Sequence, residues 1–215
     1  MSQAPSPEGG AAGPLRIAGL ILAGGEGRRL GGVDKALVLL NGRSLLSHVV
    51  ERFEPQVEAV ALSANGDPGR FASALAGRDW PVLPDADEER LGPMAGLLAG
   101  LDWAAGWGAS HLASVSVDTP FLPGDLVVRL LLGCAAPGGS AIAQSAGGRH
   151  PTCGLWPVGL RSTLAAAIGS GERRLGRWAS DQGAVGVAFA DTPDPFFNIN
   201  TPEDLAQAER WLISG

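Results

Sequence analysis

The residues best suited to chemistry lie in a glycine-rich segment, residues 22–35, that carries two arginines and a lysine. Glycines let backbone N–H groups turn toward an anion, and the cations bring positive charge to the same loop. The segment is not a dinucleotide fingerprint, because Leu30 stands where the third glycine is needed, nor a P-loop, because Val33 stands where that motif has lysine. It therefore predicts a phosphate site of another kind.

The two cations Arg29 and Lys35 have different chemical abilities. Lys35 is the only lysine in the sequence, since the other fifteen of its sixteen lysines and arginines are arginine. A compact ammonium can follow charge as it moves onto departing pyrophosphate, whereas the planar guanidinium of Arg29 clamps phosphate oxygens two at a time. This placement indicates a chemical need for a lysine at the end of the loop.

A carboxylate, Asp118, directly follows the apolar run at residues 111–117, which we predict to be a strand. Ligands of open α/β sheets bind beyond the carboxyl ends of the strands, where Asp118 would lie. Its hard oxygens are the ligands that Mg²⁺ prefers, and such an ion would neutralise and orient a triphosphate. An aspartate before Thr119-Pro120 is also a common turn former, so both interpretations stay open here.

Three motifs along the chain form a recognisable set. They are LAGG at 22–25 with RLGG at 29–32 and DK at 34–35, DTPFLP at 118–123, and FNINTPED at 197–204. Together they resemble the signature loop, the metal-binding strand end and the closing motif of the molybdenum cofactor guanylyltransferases. One departure is Leu30, where that family usually has methionine, a residue of similar volume and polarity.

This resemblance implies transfer of GMP from GTP to the terminal phosphate of molybdopterin, with release of pyrophosphate and with Mg²⁺ as cofactor. The residues implied to be catalytic are Arg29, Lys35 and Asp118. Those implied to bind the nucleotide are Leu22, Ala23, Gly24, Gly25, Lys35, Ser63, Asp85 and Asp118. The metal ligands would be Asp118 and Asn200, and the acceptor would contact His150, Arg173, Arg174, Asn198 and Asn200.

The predicted choice of base depends on Asp85 and on the residues that end the second predicted strand. Asp85 can accept hydrogen bonds from the N1–H and N2 amino groups of guanine, but it also begins an acidic run, residues 85–89, typical of a solvated loop. Ser63 stands where the family usually has asparagine, and Asn65 is the alternative base contact. A sister transferase that loads CTP onto molybdopterin, or a nucleotide onto a sugar or alcohol phosphate, and a non-catalytic nucleotide sensor remain rival hypotheses.

Composition restricts the partners and the compartment. A formal net charge of −6 argues against a general nucleic-acid binder, and no apolar run approaches the ~18 residues of a membrane span. Two cysteines, Cys134 and Cys153, cannot form a disulfide framework, which favours a reducing, cytoplasmic location. We expect GTP and molybdopterin as small-molecule partners, no nucleic acid, no membrane, and transient contact with other molybdenum cofactor proteins.

The elements that must position these residues alternate along the chain. Short apolar runs predict strands at 15–22, 57–63, 81–83, 111–117, 140–144 and 184–189. Helices are predicted at 44–53, 69–76, 93–103, 124–132, 160–168 and 202–212, the last one capped by Thr201. We therefore expect a flexible tail at 1–14 and one domain at 15–215. Its predicted class is a three-layer α/β fold with a mostly parallel sheet and helices on both faces, of the Rossmann-like nucleotide-diphospho-sugar transferase type that the resemblance implies.

Overall fold

The computed structural model describes residues 15–24, 26–27, 33–84, 92–136 and 138–214. Within these ranges, seven strands form one sheet. They are β1 (Ile17–Leu22), β2 (Ala59–Ser63), β3 (Val82–Leu83), β4 (His111–Ser116), β5 (Ala141–Ser145), β6 (Gly148–Pro157) and β7 (Val185–Ala188). The predicted tail at residues 1–14 lies outside the described residues.

The sheet has the strand order β7-β5-β6-β4-β1-β2-β3. Strands β4, β1, β2 and β3 run parallel to one another, and β7 runs parallel to β5. The six predicted strands are all present, with bounds that differ from the prediction by one or two residues. The prediction of a mostly parallel sheet is therefore confirmed.

Strand β6 was missed by the sequence analysis. It runs antiparallel to both neighbours, β4 and β5, and it has a break in register between His150 and Gly154. Pro151 and Gly154 lie inside it and are residues that strand interiors usually lack, so the segment has no clean strand pattern. The tertiary pairing with β4 and β5 outweighs this weak local preference.

Helices connect the strands and cover the sheet. In the described part of the chain the α-helices are α1 (Leu45–Phe53), α2 (Ala72–Leu75), α3 (Pro93–Trp107), α4 (Leu126–Gly133), α5 (Arg161–Gly169), α6 (Leu175–Asp181) and α7 (Pro202–Ser214). Single 3₁₀ turns occur at Lys35–Leu37, Glu54–Gln56, Pro68–Phe71 and Val158–Leu160. The seven-residue helix α6 was not predicted. Helix α3 runs four residues beyond its predicted end, to Trp107, and is followed by Gly108, which has φ 82°.

The alternation of side chains along β1 divides the core into two layers. Leu20 packs in a cluster with α3, α5 and α6, whereas Ile21 packs in a second cluster with α1, α2, α4 and α7. Gly100 lets α3 pack closely against Leu20 of β1, because a Cβ at Gly100 would lie 2.5 Å from Leu20 Cδ2. Both faces of the sheet are thus covered, as the three-layer prediction requires.

No helix among the described residues is both long enough and apolar enough to cross a bilayer. The longest of them, α3, has 15 residues.

His111, the first residue of β4, predicts how stability depends on pH. Its side chain is buried, its Nδ1 lies 3.0 Å from Ser110 Oγ, and its Nε2 has no hydrogen-bond partner among the described residues. Burial lowers the pKa of His111 below the ordinary value. As pH falls through about 6.5, the unfolded chain binds a proton that the folded chain does not, so stability present above that pH is lost below it.

We expect His111→Leu to reduce the loss of unfolding free energy between pH 7 and pH 5, by up to about 1.4 kcal/mol per pH unit between the two pKa values. Urea denaturation of the wild type and the variant at several pH values measures this effect. Parallel pH profiles would show that His111 does not contribute to the acid sensitivity.

Candidate functional site

Four strand ends meet at the carboxyl edge of the sheet. Backbone hydrogen bonds continue past the last residues of the strands, from Ala23 N to Ser63 O at 2.9 Å and from Val117 N to Leu22 O at 3.1 Å. Ala64 N donates to Leu83 O at 3.0 Å in the same way. The segments that follow β1, β2, β3 and β4 therefore start from one continuous edge.

Lys35 reaches this edge from a short 3₁₀ turn, Lys35–Leu37, at the end of the glycine-rich segment. Asp34 caps the turn, because its Oδ1 accepts the N–H of Ala36 at 3.0 Å. Ala36 is fully buried in the core, which fixes the other side of the turn. The turn gives Lys35 a defined starting point, although the residues before it include the undescribed range 28–32.

The ammonium of Lys35 contacts the two other predicted polar residues of the edge. Its Nζ lies 2.7 Å from Asp118 Oδ2 and 2.5 Å from Asn200 Oδ1. The side chains of Lys35 and Asp118 are only 13% and 18% exposed, so their attraction is less screened than that of a surface pair. Residues that are 83 and 165 positions apart in sequence thus form one cluster.

The oxygens of this cluster are suited to a divalent cation. Asp118 Oδ1 is buried and has no hydrogen-bond partner among the described residues, so one carboxylate oxygen is left for an added ligand. The amide oxygen of Asn200 is a second hard ligand close by. Among the described residues, no three or more histidines, cysteines or carboxylates lie together so that they could hold a metal ion. Such a site fits Mg²⁺, which uses one or two carboxylates together with waters and substrate phosphates.

Asn200 is held in place by the start of α7. Ile199 N donates to Asp118 O at 3.0 Å, which ties this segment to the strand end. Asp204 Oδ2 accepts the N–H groups of Asn200 and Thr201, and Thr201 Oγ1 accepts the N–H of Asp204. The second and third of these bonds form a capping box. Burial raises the pKa of Asp204, but these hydrogen bonds bring it below its ordinary value.

The predicted nucleotide residues are placed at the same edge as far as they are described. Leu22 and Ala23 are buried and Gly24 is exposed. Ser63 is 2% exposed, and its Oγ lies against Gly96 of α3, where a side chain on Gly96 would collide with it. Asn65, the alternative base contact, is exposed. The predicted positions Gly25, Arg29 and Asp85 lie outside the described residues.

His150, predicted to contact the acceptor, belongs to a hydrogen-bonded chain. Ser145 Oγ donates to Asp194 Oδ2 at 2.7 Å, so it must accept from His150 Nε2, which lies 2.8 Å away. The ring stacks on Phe196, with centroids 4.8 Å apart. Burial lowers the pKa of His150, although Asp194 opposes the shift. The imidazole is therefore neutral near pH 7 and packs against the segment that leads to Asn200.

The predicted acceptor residues Arg173 and Arg174 precede α6 and border an open cleft. This cleft is lined by Ser170, Gly171, Glu172, Arg173, Arg174 and Arg177. Arg173 Nη1 donates to two carbonyl oxygens, those of Ile168 and Glu172, whereas the side chain of Arg174 is 70% exposed. Among the described residues, the side-chain partner of Arg174 is Glu172, whose Oε1 lies 3.5 Å from Arg174 Nε, so Arg174 is held less tightly than Arg173. Asn198, the remaining predicted acceptor contact, is exposed.

Two supporting residues, Arg70 and Asp204, were missed by the sequence analysis as parts of the site. The Thr201 to Asp204 spacing is a capping-box signal that predicts the contact of Asp204. Arg70 donates to Asp34 from 36 positions away, and no sequence pattern connects the two.

Comparison with known proteins shows the family of the chain. The family model described as the MobA-like NTP transferase domain matches residues 19–193. A molybdenum cofactor guanylyltransferase of Rhodobacter capsulatus is 57% identical over 199 residues, covering 92% of this chain and 97% of that protein. One from Cereibacter sphaeroides is 52% identical over 198 residues, covering 92% and 98%.

A solved structure has the same fold at lower sequence identity. The molybdopterin-guanine dinucleotide biosynthesis protein A of Archaeoglobus fulgidus superposes with a TM-score of 0.68 and 23% identity, covering 92% of this chain and all of that one. At this identity the likeness shows the fold alone. Because the family model covers most of the chain and the two curated relatives match it nearly end to end, the chain belongs to the MobA-like NTP transferase family, among the molybdenum cofactor guanylyltransferases.

Proposed function

We propose that this chain transfers GMP from GTP to the terminal phosphate of molybdopterin and releases pyrophosphate. The observation that carries the proposal is the contact of Lys35 with both Asp118 and Asn200 at the carboxyl edge of the sheet. The names of the relatives support the same reaction. In this proposal residues 15–215 act as one nucleotidyltransferase domain.

The nucleotide would lie along the edge that follows β1. Backbone groups of Leu22, Ala23, Gly24 and Gly25 would hold it, while Lys35 and Arg29 would hold its phosphates. Attack on the α-phosphorus breaks the bond to the β-phosphate, and negative charge then develops on pyrophosphate. An ammonium already placed near that charge stabilises the transition state more than the ground state, which is the requirement for catalysis.

Asp118 and Asn200 would hold the metal, for which Mg²⁺ is the proposed ion. The unpartnered, buried Oδ1 of Asp118 supports this assignment. When bound, the ion would supply positive charge at the phosphates and act as a Lewis acid. Asp204 would keep the Asn200 backbone in place through its hydrogen bonds at the start of α7.

No general base is needed for the acceptor, because a phosphate monoester is already an anion near pH 7. Its recognition therefore calls for cations and hydrogen-bond donors. Arg173 and Arg174 would supply the charge, with Asn198 and Asn200 nearer the reaction centre. The neutral His150 would contribute a packed ring surface and no charge.

The base would be selected by Asp85 and by Ser63 or Asn65. A carboxylate that pairs with the N1–H and N2 amino groups of guanine would be left unpaired by cytosine, which disfavours CTP. Two alternatives are use of CTP with molybdopterin and nucleotide transfer to a sugar or alcohol phosphate. The first would release pyrophosphate with CTP, and the second would release none that depends on molybdopterin. A cytoplasmic location and transient contacts with other molybdenum cofactor proteins belong to the same proposal.

The test is pyrophosphate release with each of GTP, CTP, ATP and UTP, in the presence of Mg²⁺ and with or without purified molybdopterin. We expect release with GTP only, dependent on molybdopterin. The product should have the mass of molybdopterin plus GTP less pyrophosphoric acid, which equals molybdopterin plus GMP less one water. Equal or greater release with CTP would overturn the base assignment. GTP binding without release would favour a nucleotide sensor.

A further inference from the structure

Beside the Lys35 turn lies an ion pair that joins two segments of the carboxyl edge. Arg70 Nε donates to Asp34 Oδ2 at 2.6 Å, and the two side chains are 26% and 22% exposed. Asp34 immediately precedes Lys35, whereas Arg70 lies in the 3₁₀ turn Pro68–Phe71 that follows the end of β2. The pair therefore connects the segment that carries the phosphate-binding lysine to the segment beyond Ser63.

The Arg70 end of this connection is fixed by two contacts. Arg70 Nη1 donates to Asp67 O at 2.7 Å, and the guanidinium lies over the ring of Phe71, 4.2 Å from its centroid. Phe71 is fully buried in the core. Because the donor is anchored in this way, it holds the Asp34 carboxylate at a defined place.

At its other end, the connection reaches the turn that begins at Lys35. One carboxylate oxygen accepts from Arg70, and the other caps the Lys35–Leu37 turn through the N–H of Ala36. Without Arg70, the carboxylate could rotate away from the cap. Loss of Arg70 would also leave the negative charge of Asp34 unbalanced next to the place where Lys35 would meet a triphosphate. The carboxylate would then repel the negatively charged phosphates at short range.

From these contacts we infer that Arg70 is a positioning residue for catalysis, which acts through Asp34 to set the place of the Lys35 ammonium. The inference rests on the proposed function, because it assigns Lys35 a role at the phosphates. A purely structural role is the competing explanation. Ion pairs of this exposure stabilise a fold little, so Arg70 should affect turnover far more than stability.

The chain offers a matched control in Arg78. Arg78 Nη2 pairs with Glu54 Oε2 at 2.8 Å, the side chains are 33% and 36% exposed, and Arg78 Nη1 donates to Leu75 O. Like Arg70, Arg78 thus pairs with a carboxylate and also donates to the backbone carbonyl of the residue three positions earlier. The pair lies at the end of α1, where Glu54 begins the turn Glu54–Gln56.

The experiment compares Arg70→Met, Arg70→Lys and Arg78→Met in the full chain. We expect Arg70→Met to lower kcat about ten- to a hundredfold, with less than a threefold change in KM for GTP, because small misplacements of a catalytic group have effects of this size. Arg70→Lys should recover part of kcat. Both methionine variants should melt within about 3 °C of the wild type, and Arg78→Met should keep wild-type kcat.

Two further measurements show whether Arg70 acts through the lysine turn. In a Lys35→Met background, adding Arg70→Met should lower kcat no further, since the group that Arg70 positions is already gone. Amide exchange at Ala36 should be faster by about fivefold in Arg70→Met, the factor that loss of an N-cap bond gives. Independent, multiplying effects of the two substitutions, or unchanged exchange at Ala36, would overturn the inference.

The exchange measurement needs no substrate, so it tests the inference even if the wild type releases no pyrophosphate. An inactive wild type would count against the proposed function. Equal losses of kcat in Arg70→Met and Arg78→Met would count against the positioning role alone.

Discussion

Asp118→Ala is expected to lower kcat for GMP transfer by about 100-fold or more while the fold stays intact. The carboxylate supplies both the proposed metal ligand, through its unpartnered Oδ1, and the partner of Lys35, through Oδ2. A hundredfold loss corresponds to about 2.7 kcal/mol of transition-state stabilisation, which is in the range of a single electrostatic group in a catalytic site. Pyrophosphate release at saturating GTP and molybdopterin gives kcat, and thermal melting reports on the fold.

Asp102→Ala is a suitable control for this variant. Asp102 forms an ion pair with Arg161, and both side chains are about half exposed, so its removal changes the charge equally without touching the carboxyl edge. We expect its kcat to match that of the wild type. Near-wild-type turnover of Asp118→Ala would exclude the metal assignment.

Lys35→Met is expected to lower kcat by about 10² to 10³-fold, because it removes the ammonium that contacts Asp118 and Asn200. Lys35→Arg should not restore the rate. A planar guanidinium is larger and fixes its donors in one plane, whereas the site holds a compact ammonium on two oxygens. Steady-state kinetics of both variants measure these effects.

The control for Lys35 is Arg43→Met, which removes an exposed cation paired with Glu51 at 2.8 Å. Binding of Mn²⁺ in the presence of GTP separates the two proposed roles further. Lys35→Met should keep this binding and Asp118→Ala should lose most of it, since only the second substitution removes a metal ligand. Wild-type kcat in Lys35→Arg would show that the site needs only a positive charge.

The convergence of Lys35 and Asp118 could be predicted from sequence because it follows from topology. Asp118 comes directly after an apolar strand, and the glycine-rich segment leaves β1, so both start from the carboxyl edge of a parallel sheet. The strand and helix alternation predicted the three layers for the same reason. Such features depend on local patterns that a sequence displays directly.

The remaining features depend on contacts between distant residues. Strand β6 has a proline and a glycine in its interior, and it forms through pairing with β4 and β5. The Arg70 to Asp34 pair joins two turns that have no shared pattern. The end of α3 was predicted four residues too early, at residue 103, although Gly108, which has positive φ, is a typical helix terminator.

The most direct test of the central claim is a crystal structure of the chain with Mn²⁺ and a GTP analogue that cannot be cleaved between the α- and β-phosphates. Anomalous scattering locates the manganese ion. We expect the ion on the Asp118 carboxylate and the Lys35 ammonium within hydrogen-bond distance of the same triphosphate. A triphosphate bound elsewhere, with Lys35 and Asp118 touching neither it nor the ion, would contradict the account.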